Sequence, residues 1–235
     1  MTVKCFSGIL LCLLAGSQLN AQSISSYNSF LQNSKQVLFV TTPSYDAIQG
    51  TIMLYERKNH RKPWKLSYSF PVTVGRAGLA KDAQATIPFA GSVPVKHEGD
   101  GKSPAGIFSL GKIFSYHDLK DLRMPFIQVD TNFYCVDDVN SAYYNTLVLS
   151  DTAKHDYNSF EYMKRNDSLY EYGVWVLYNS NPVVRGNGSC IFIHVWRSDD
   201  SPTAGCTAMS GENILKLIYW LKKKKNPVLL QVVEE

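Results

Sequence analysis

The chain has 235 residues, which allows one large β-rich domain or two small ones, and no internal repeat divides it. Hydrophobic residues make up 45% of the chain and charged residues 19%, which excludes an intrinsically disordered protein. The formal net charge of +4 is too small to require nucleic acid as a partner, and we expect none.

The first 21 residues have the pattern of a secretory signal peptide. Lys4 supplies the positive start, and the apolar run Gly8–Ala15 is too short to span a bilayer. The cleavage site is imperfect because Leu19 stands where a small residue is usual, so a retained membrane anchor stays an alternative. We predict export to the periplasm or cell envelope, with no transmembrane span after residues 1–21 are removed.

A single domain is predicted for residues 37–233, after a polar N-terminal linker at residues 22–36. Short runs rich in β-branched and aromatic residues, separated by glycine and proline turns, predict strands along this domain. The predicted strands are 37–42, 51–56, 64–70, 71–74, 107–110, 173–178, 190–196 and 227–233. Strands so closely spaced favour a mainly β fold, a β-sandwich or barrel-like domain, over alternating strand–helix units.

Short helices are predicted at two places within this β framework. Hydrophobic and charged residues between Ser159 and Tyr172 favour the first. The second has Ser210 as its N-cap and carries an apolar stripe at helical spacing. The stripe consists of Ile214, Leu217, Ile218 and Leu221. Lysines 222–225 are expected to end this helix, where positive charge suits the helix dipole.

Three glycines and a proline between Gly99 and Gly106 predict a structured loop. It resembles a phosphate-binding loop only superficially, because the glycine spacing is wrong and Pro104 blocks a regular helix after Lys102. Nucleotide binding is therefore not expected.

The segment Phe114–Lys154 is long, aromatic and acidic. Aromatic surfaces with a few polar anchors are typical of polymer-binding sites, so this segment is a candidate substrate wall or lid. An ordinary loop that is packed by its own aromatic residues explains the composition equally well. Both interpretations stay open.

The stretch from Cys190 to Ser210 carries the residues with the clearest chemistry. A predicted strand holds His194, and a polar loop leads from it to Gly205 and Cys206. An imidazole beside a thiol lowers the pKa of the thiol and carries its proton, as cysteine catalysis requires. The backbone N–H groups of Gly205 and Cys206 would hold an oxyanion, and a helix directly after Cys206 would favour a thiolate. The alternative is a small buried cysteine and a structural histidine.

Removal of the signal peptide leaves three cysteines, Cys135, Cys190 and Cys206. An odd number in an exported protein suggests one disulfide and one reactive thiol. Alternation along the predicted strand puts Cys190 on the side of His194, where Cys135 would reach it if the aromatic segment packs over that face. Two buried free thiols are the alternative to this bridge. The paired ligand spacings of zinc sites do not occur, so we expect no metal.

Three separated blocks resemble the catalytic domain family of the L,D-transpeptidases, the YkuD type. Residues 191–208 resemble its catalytic signature, and in particular a subgroup that reads HV-x-R followed by SPT-x-GC-x-A. Residues 98–108 are similar to the EGDG-[KR]-[ST]-PAG block of that subgroup, and residues 179–189 to the polar turn before its histidine strand. Residues 137–145 resemble its DD and YYN pattern. Because the blocks occur in the family's order, the resemblance covers about residues 37–233.

The resemblance implies an enzyme without a cofactor that acts on peptidoglycan stem peptides, in cell-wall biogenesis and the maintenance of cell shape. Cys206 would form a thioester with the stem peptide, and His194 would be its base. Arg197 is the candidate for binding a substrate carboxylate, because its planar guanidinium suits bidentate contacts. The other implied substrate-binding residues are Thr203, Trp196, Tyr143 and Tyr144. The implied support loop of the active site contains Asp100, Gly101 and Lys102.

Two positions depart from the wider family. Ala204 stands where many members have a second histidine, and Ala208 stands where many have an arginine. The nucleophile and the base are kept, so the departures concern recognition of the acyl donor. Hydrolysis at the same site, as in an L,D-carboxypeptidase or amidase, is one alternative, and a catalytically silent wall-binding module is another. We expect a monomer.

Overall fold

The computed structural model describes residues 24–151 and 154–234. The predicted signal peptide, residues 1–21, lies outside the described residues, as do the first two residues of the predicted linker. Within the described ranges, no helix combines the length and the hydropathy that crossing a bilayer requires.

Strands dominate the structure, which confirms the prediction of a mainly β fold. In chain order they are β1 (Gln36–Thr42), β2 (Gln49–Glu56), β3 (Lys65–Thr73), β4 (Leu79–Lys81), β5 (Ser103–Ser115), β6 (Phe126–Gln128), β7 (Phe133–Val136), β8 (Thr146–Leu149), β9 (Phe160–Tyr162), β10 (Tyr172–Val176), β11 (Phe192–Val195), β12 (Thr207–Met209) and β13 (Val228–Val233). A helix, α1 (Gly211–Trp220), and a 3₁₀ turn at Lys223–Lys225 lie between β12 and β13.

Ten of the described strands form one sheet that closes on itself. Successive neighbours are β10, β11, β12, β3, β2, β1, β13 and β5, and β5 returns to pair with β10. The short strands β4 and β6 pair alongside β5. Closure pairs the strands that would otherwise form the sheet's edges, so the fold is barrel-like, as the strand spacing predicts.

The first strand shows how both faces of this sheet are covered. All seven residues of β1 are buried. Leu38 and Val40 belong to one hydrophobic cluster, which also contains the apolar face of α1, whereas Val37 and Phe39 belong to a second. A strand covered on both faces needs an unbroken apolar run in place of alternation, and the run at 37–40 supplies it.

The described part of the predicted linker packs on the second cluster. Ile24, Tyr27 and Leu31 are buried there, together with the outward residues of β1. The guanidinium of Arg57 donates hydrogen bonds to the backbone carbonyls of Leu31 and Ser34. These contacts hold the segment against the sheet.

Helix α1 buries the stripe that its spacing predicts, and Ser210 is its N-cap, with the Ser210 side chain accepting from the N–H of Asn213. Helix α1 begins at Gly211, as the predicted N-cap Ser210 requires, and β12 therefore lies between the helix and Cys206. A three-residue strand carries the chain about 10 Å onward. The dipole of a helix acts within its first turn, so α1 is too distant to favour a thiolate at Cys206.

The lysine run does not form the last turn of α1. The helix ends at Trp220, and lysines 223–225 form the separate 3₁₀ turn. Lys222 and Lys225 form salt bridges with Glu56 on β2, so the run is tied to the sheet and not to the helix end.

The helix predicted between Ser159 and Tyr172 is wrong. Strand β9 occupies its beginning, and turns occupy most of the rest. The rings of Phe160 and Tyr162 contact Tyr134 of β7, with centroid distances of 4.4 and 5.2 Å. Cross-strand aromatic contacts of this kind stabilise a sheet, and they outweigh the weak helical spacing of the segment.

The aromatic, acidic segment folds into a sheet of its own. Strand β7 pairs antiparallel with β8 on one side and β9 on the other. These strands have only three or four residues, too few for alternation to predict them. Cys135 of β7 packs in one cluster with Phe192 and Cys206. The small sheet therefore adjoins the strand that carries His194.

Truncation of Leu31 tests whether the N-terminal segment belongs to the fold. Leu31 is fully buried, whereas the adjacent Phe30 is 42% exposed. We expect Leu31→Ala to lower the free energy of unfolding by about 2–5 kcal/mol, because a cavity replaces the side chain, and Phe30→Ala to lower it by less than about 1 kcal/mol. Urea unfolding measures both, and two equally small effects would contradict the packing of this segment.

Candidate active site

The parallel pairing of β11 with β12 brings the predicted thiol and imidazole together. His194 pairs with Ala208, and the N–H of Phe192 donates to Cys206 Sγ at 3.3 Å. Side chains alternate between the faces of a strand. Ile193 packs in the hydrophobic cluster that contains the apolar face of α1, whereas Phe192 and Cys206 pack in the cluster on the other face. His194 and Cys206 therefore lie on the same face as diagonal neighbours.

The Cys206 thiol is buried among backbone groups. Besides accepting from Phe192, the sulfur donates to the carbonyl of Cys190 at 3.6 Å. Burial raises the pKa of the thiol well above its ordinary value, and the nearby carboxylate of Glu161 raises it further. The Phe192 N–H and Lys96 oppose this effect but do not cancel it. The thiol is therefore neutral in the resting site.

Hydroxyl groups fix the main chain around Cys206. Its carbonyl accepts hydrogen bonds from Ser103 Oγ at 2.9 Å and Thr203 Oγ1 at 2.6 Å. A side chain at Gly205 would meet the Lys102 carbonyl at 3.1 Å, so glycine allows the two loops to pack closely. The Gly205 N–H donates to Thr203 Oγ1 at 3.1 Å. An oxyanion at this N–H would have to compete with that hydroxyl.

His194 is held by a backbone carbonyl and by an aromatic ring. Its Nδ1 donates to the carbonyl of Val195 at 2.7 Å, which places a proton on that nitrogen. The ring of Tyr170 meets the imidazole edge to face, with centroids 5.1 Å apart. Burial lowers the pKa of His194 to about 4, and the Val195 carbonyl only partly opposes this. The imidazole is therefore neutral at pH 7 and able to accept a proton.

His194 and Cys206 line the same cavity, which has a volume of about 670 Å³. Charged residues of both signs contribute to its walls: Arg76, Arg165, Arg197, Glu98, Asp137 and Glu161. Arg165 is paired with Asp167 at 2.9 Å, whereas Arg76 and Arg197 are exposed and form no salt bridge with any described residue. Two guanidinium groups are thus available for the carboxylates of a ligand.

A disulfide joins Cys135 of β7 to Cys190, with the Cα atoms 6.0 Å apart. Cys190 lies before β11 and has a φ of 53°, so strand alternation does not describe its direction. Its N–H donates to Asn145 Oδ1 at 2.9 Å. The small sheet is therefore tied to the segment before His194, and Cys206 is the free cysteine of the described chain. Among the same residues, no group of three or more histidine, cysteine, aspartate or glutamate side chains is arranged to hold a metal ion.

The predicted support loop is fixed by a buried ion pair. The carboxylate of Asp100 binds the ammonium of Lys96 at 2.6 Å and accepts the backbone N–H of Lys102 at 2.8 Å. Gly101 has a φ of 69°, a conformation that favours glycine. The Lys102 carbonyl then reaches Gly205, so the loop contacts the turn that presents the thiol.

Three of the predicted substrate-binding residues line the cavity: Trp196, Arg197 and Thr203. The structure places Tyr143 and Tyr144 outside its lining. Tyr144 is buried, and its hydroxyl donates to Glu98, so it supports the cavity wall from behind. The ring of Tyr143 contacts Tyr157 edge to face, with centroids 6.5 Å apart, beside the small sheet. Neither side chain therefore lines the cavity beside the thiol.

Glu161 and Tyr170 also line the cavity, and sequence reasoning missed both. They were missed because the segment that contains them resembled a helix. Within Phe160–Glu161–Tyr162 the carboxylate lies on the face opposite to two aromatic rings, but a run of three residues is too short for alternation to predict a strand.

Comparison with known proteins gives one match. A family model described as the L,D-transpeptidase catalytic domain, YkuD, matches residues 49–230. No curated protein and no solved structure matches the chain.

Removal of the disulfide should weaken the fold. The bridge spans 55 residues, so replacing both Cys135 and Cys190 by alanine should lower the free energy of unfolding by about 4 kcal/mol. Urea unfolding with and without reductant measures this, and reductant should leave the double variant unchanged. Equal stability of variant and wild type, or a non-reduced digest without the crosslinked peptide, would contradict the bridge.

His194 should make the stability depend on pH in a defined window. Its pKa is about 4 in the folded protein against 6.5 for an ordinary histidine, so between these values the unfolded chain binds the proton and the folded chain does not. The free energy of unfolding should fall by about 3 kcal/mol as the pH falls through this window. His194→Gln should lack this component, whereas variant His60→Gln, at an exposed histidine, should retain it.

Urea unfolding at several pH values provides the comparison. A stability difference between wild type and His194→Gln that stays constant through the window would show that the imidazole is not buried in its neutral form.

Proposed function

Because the chain belongs to the YkuD family of L,D-transpeptidase catalytic domains, we propose that it is an exported cysteine acyltransferase that cross-links peptidoglycan stem peptides. Cys206 is the nucleophile of this proposal, and His194 is its base. The stem peptide is the acyl donor, and an amine of a second stem is the acceptor.

His194 lies on β11 and Cys206 directly before the neighbouring β12, and both line one cavity; this placement carries the proposal. A nucleophile and a base must approach each other and the same substrate atom, and the strand register supports both conditions. The hydroxyls that hold the Cys206 carbonyl fix the direction of the thiol. This rigidity supports a catalytic role, since a loosely held thiol would reach the substrate carbonyl less often.

The first step begins with both groups neutral. His194 takes the proton of Cys206 as the sulfur attacks the carbonyl between the third-position diamino acid and the terminal D-alanine. An S–C bond forms, and the oxygen becomes an oxyanion near the N–H groups of Cys206 and Gly205. The carbonyl of Val195 stabilises the imidazolium that forms, because its hydrogen bond favours the protonated ring.

The tetrahedral species then breaks its C–N bond. D-alanine leaves with the proton from His194, and a thioester remains on Cys206. The acceptor amine attacks this thioester, gives a proton to His194, and forms the new amide as the S–C bond breaks. The proton returns to Cys206 Sγ, so the enzyme ends each cycle unchanged.

The arginines of the cavity support a donor that carries carboxylates. Arg197 and Arg76 are exposed at the cavity wall, in reach of a ligand that fills it. A stem peptide ends in a carboxylate, which a guanidinium binds through two parallel hydrogen bonds. Arg197 is the residue we assign to this contact.

Replacing the nucleophile is the direct test. Cys206→Ala should retain less than about a hundredth of the turnover of wild type, because loss of a nucleophile removes the covalent route. Purified wall fragments with tetrapeptide stems are incubated with each protein, and mass analysis separates crosslinked dimers from trimmed monomers. Dimers indicate transfer, and trimmed monomers indicate hydrolysis.

The control is Glu212→Gln, at an exposed position of α1, which should turn over as wild type does. A Cys206→Ala variant that retains more than about a hundredth of either activity would exclude the thiol mechanism.

A further inference from the structure

A carboxylate of the cavity has no part in the mechanism above. Glu161 lies on β9, directly opposite Cys135 of β7, so the disulfide fixes its position relative to Cys190. It lines the same cavity as Cys206 and His194. Its carboxylate accepts the hydroxyl hydrogen of Tyr170.

Tyr170 connects this carboxylate to the imidazole. The phenol is buried, 6% exposed, and its ring lies edge to face against His194 at 5.1 Å and against Phe192 at 5.4 Å. The guanidinium of Arg165 lies 5.3 Å from the centre of the ring. Contacts on several sides allow the phenol one orientation. Its hydroxyl donates to Glu161 and its ring contacts His194.

We propose that Glu161 and Tyr170 are positioning residues for the catalytic pair: Glu161 fixes Tyr170, Tyr170 fixes the ring of His194, and the charge of Glu161 controls how readily Cys206 loses its proton. This inference rests on the proposed roles of Cys206 and His194. It assigns a function to the small sheet, which brings a carboxylate to the thiol.

The charged groups around Glu161 come from several elements. Burial raises the pKa of Glu161 to about 7, and the hydrogen bond from Tyr170 lowers it. Asp137, directly after β7, and Glu98, just before the support loop, raise the pKa of Glu161, while Arg165 lowers it. Lys96 lowers the pKa of the Cys206 thiol, whereas Glu161 raises it. Arg76 and Arg197 complete the charged lining of the cavity.

The charge of Glu161 therefore changes near neutral pH, and its effect on the thiol has a definite sign. Below about pH 7 the carboxyl is neutral and does not oppose formation of a thiolate. Above that pH it is negative and raises the pKa of Cys206. The rate at which the thiol reacts should rise with pH, flatten as Glu161 ionises, and rise again at higher pH.

Alkylation of Cys206 by iodoacetamide measures this without a substrate. Mass analysis follows the modification from about pH 5.5 to about pH 9. Wild type should show the flattening near pH 7. Glu161→Gln should lack it and should react about fivefold faster than wild type above that pH, because a neutral amide replaces the negative charge. Glu212→Gln, which removes an exposed carboxylate of α1, is the matched control and should follow wild type.

Tyr170→Phe keeps the ring on His194 and removes only the hydroxyl. Without this donor the carboxylate of Glu161 is less stabilised, so the flattening should move to higher pH. A purely structural role of the phenol would not move the profile in this way. This variant also keeps the test decisive if Glu161→Gln fails to fold.

If the alkylation rate of Glu161→Gln depends on pH as that of wild type does, the inference is overturned. Loss of the flattening in Glu212→Gln would also overturn it. The outcome is separate from the proposed function. Wild type that makes no wall product but shows the Glu161-dependent profile would refute the transpeptidase proposal and keep the electrostatic coupling. Wild type that makes crosslinked wall product but lacks the Glu161-dependent profile would keep the transpeptidase proposal and refute the electrostatic coupling.

Discussion

The site depends on the parallel register between β11 and β12. Shifting a strand by one residue turns every side chain to the opposite face. A one-residue slip of β12 would therefore turn Cys206, which directly precedes this strand, away from His194 and toward the cluster that contains the apolar face of α1. With three residues, β12 is too short to hold its register through backbone hydrogen bonds alone. The side chains of Ser103 and Thr203 help to fix the register, because both hydroxyls donate hydrogen bonds to the carbonyl of Cys206 at the start of this strand.

Burial keeps both groups of the proposed catalytic pair uncharged. The pKa of the thiol is raised and the pKa of the imidazole is lowered, and loss of hydration is the largest cause of each shift. A preformed ion pair would need nearby charges to replace that hydration. The site instead holds neutral groups beside backbone carbonyls, in a cavity lined by charges of both signs, which suits proton transfer during the attack and not before it.

The parts of the site that the sequence predicts are those with a local signal. His194 on an apolar strand, the Gly205–Cys206 turn and the stripe of α1 each depend on residues that are close in the chain. The disulfide stayed one of two alternatives because Cys135 and Cys190 meet through the small sheet, which local patterns do not reveal. Glu161 was missed for the same reason, since a three-residue strand carries no period of its own.

Physical context also overrides local patterns at particular residues. The sequence pattern extends the strand of His194 back to Cys190, but the positive φ of Cys190 turns the chain before β11 begins. Tyr143 and Tyr144 have the composition of a substrate surface, yet they pack on their own sheet and behind Glu98. Lysines 222–225 resemble a helix end, but salt bridges to Glu56 draw two of the residues to β2.

The place of β13 in the ring has a consequence for the order of folding. This strand lies between β1 and β5, and Val37 of β1 pairs with Val228. A ribosome makes β1 first, so the barrel cannot close until Val228–Val233 has emerged, and pairing over such a separation is slow. A chain cut short before Val228 would expose the edges of β1 and β5 together. Unpaired edges recruit strands from other molecules, so such a fragment is expected to aggregate.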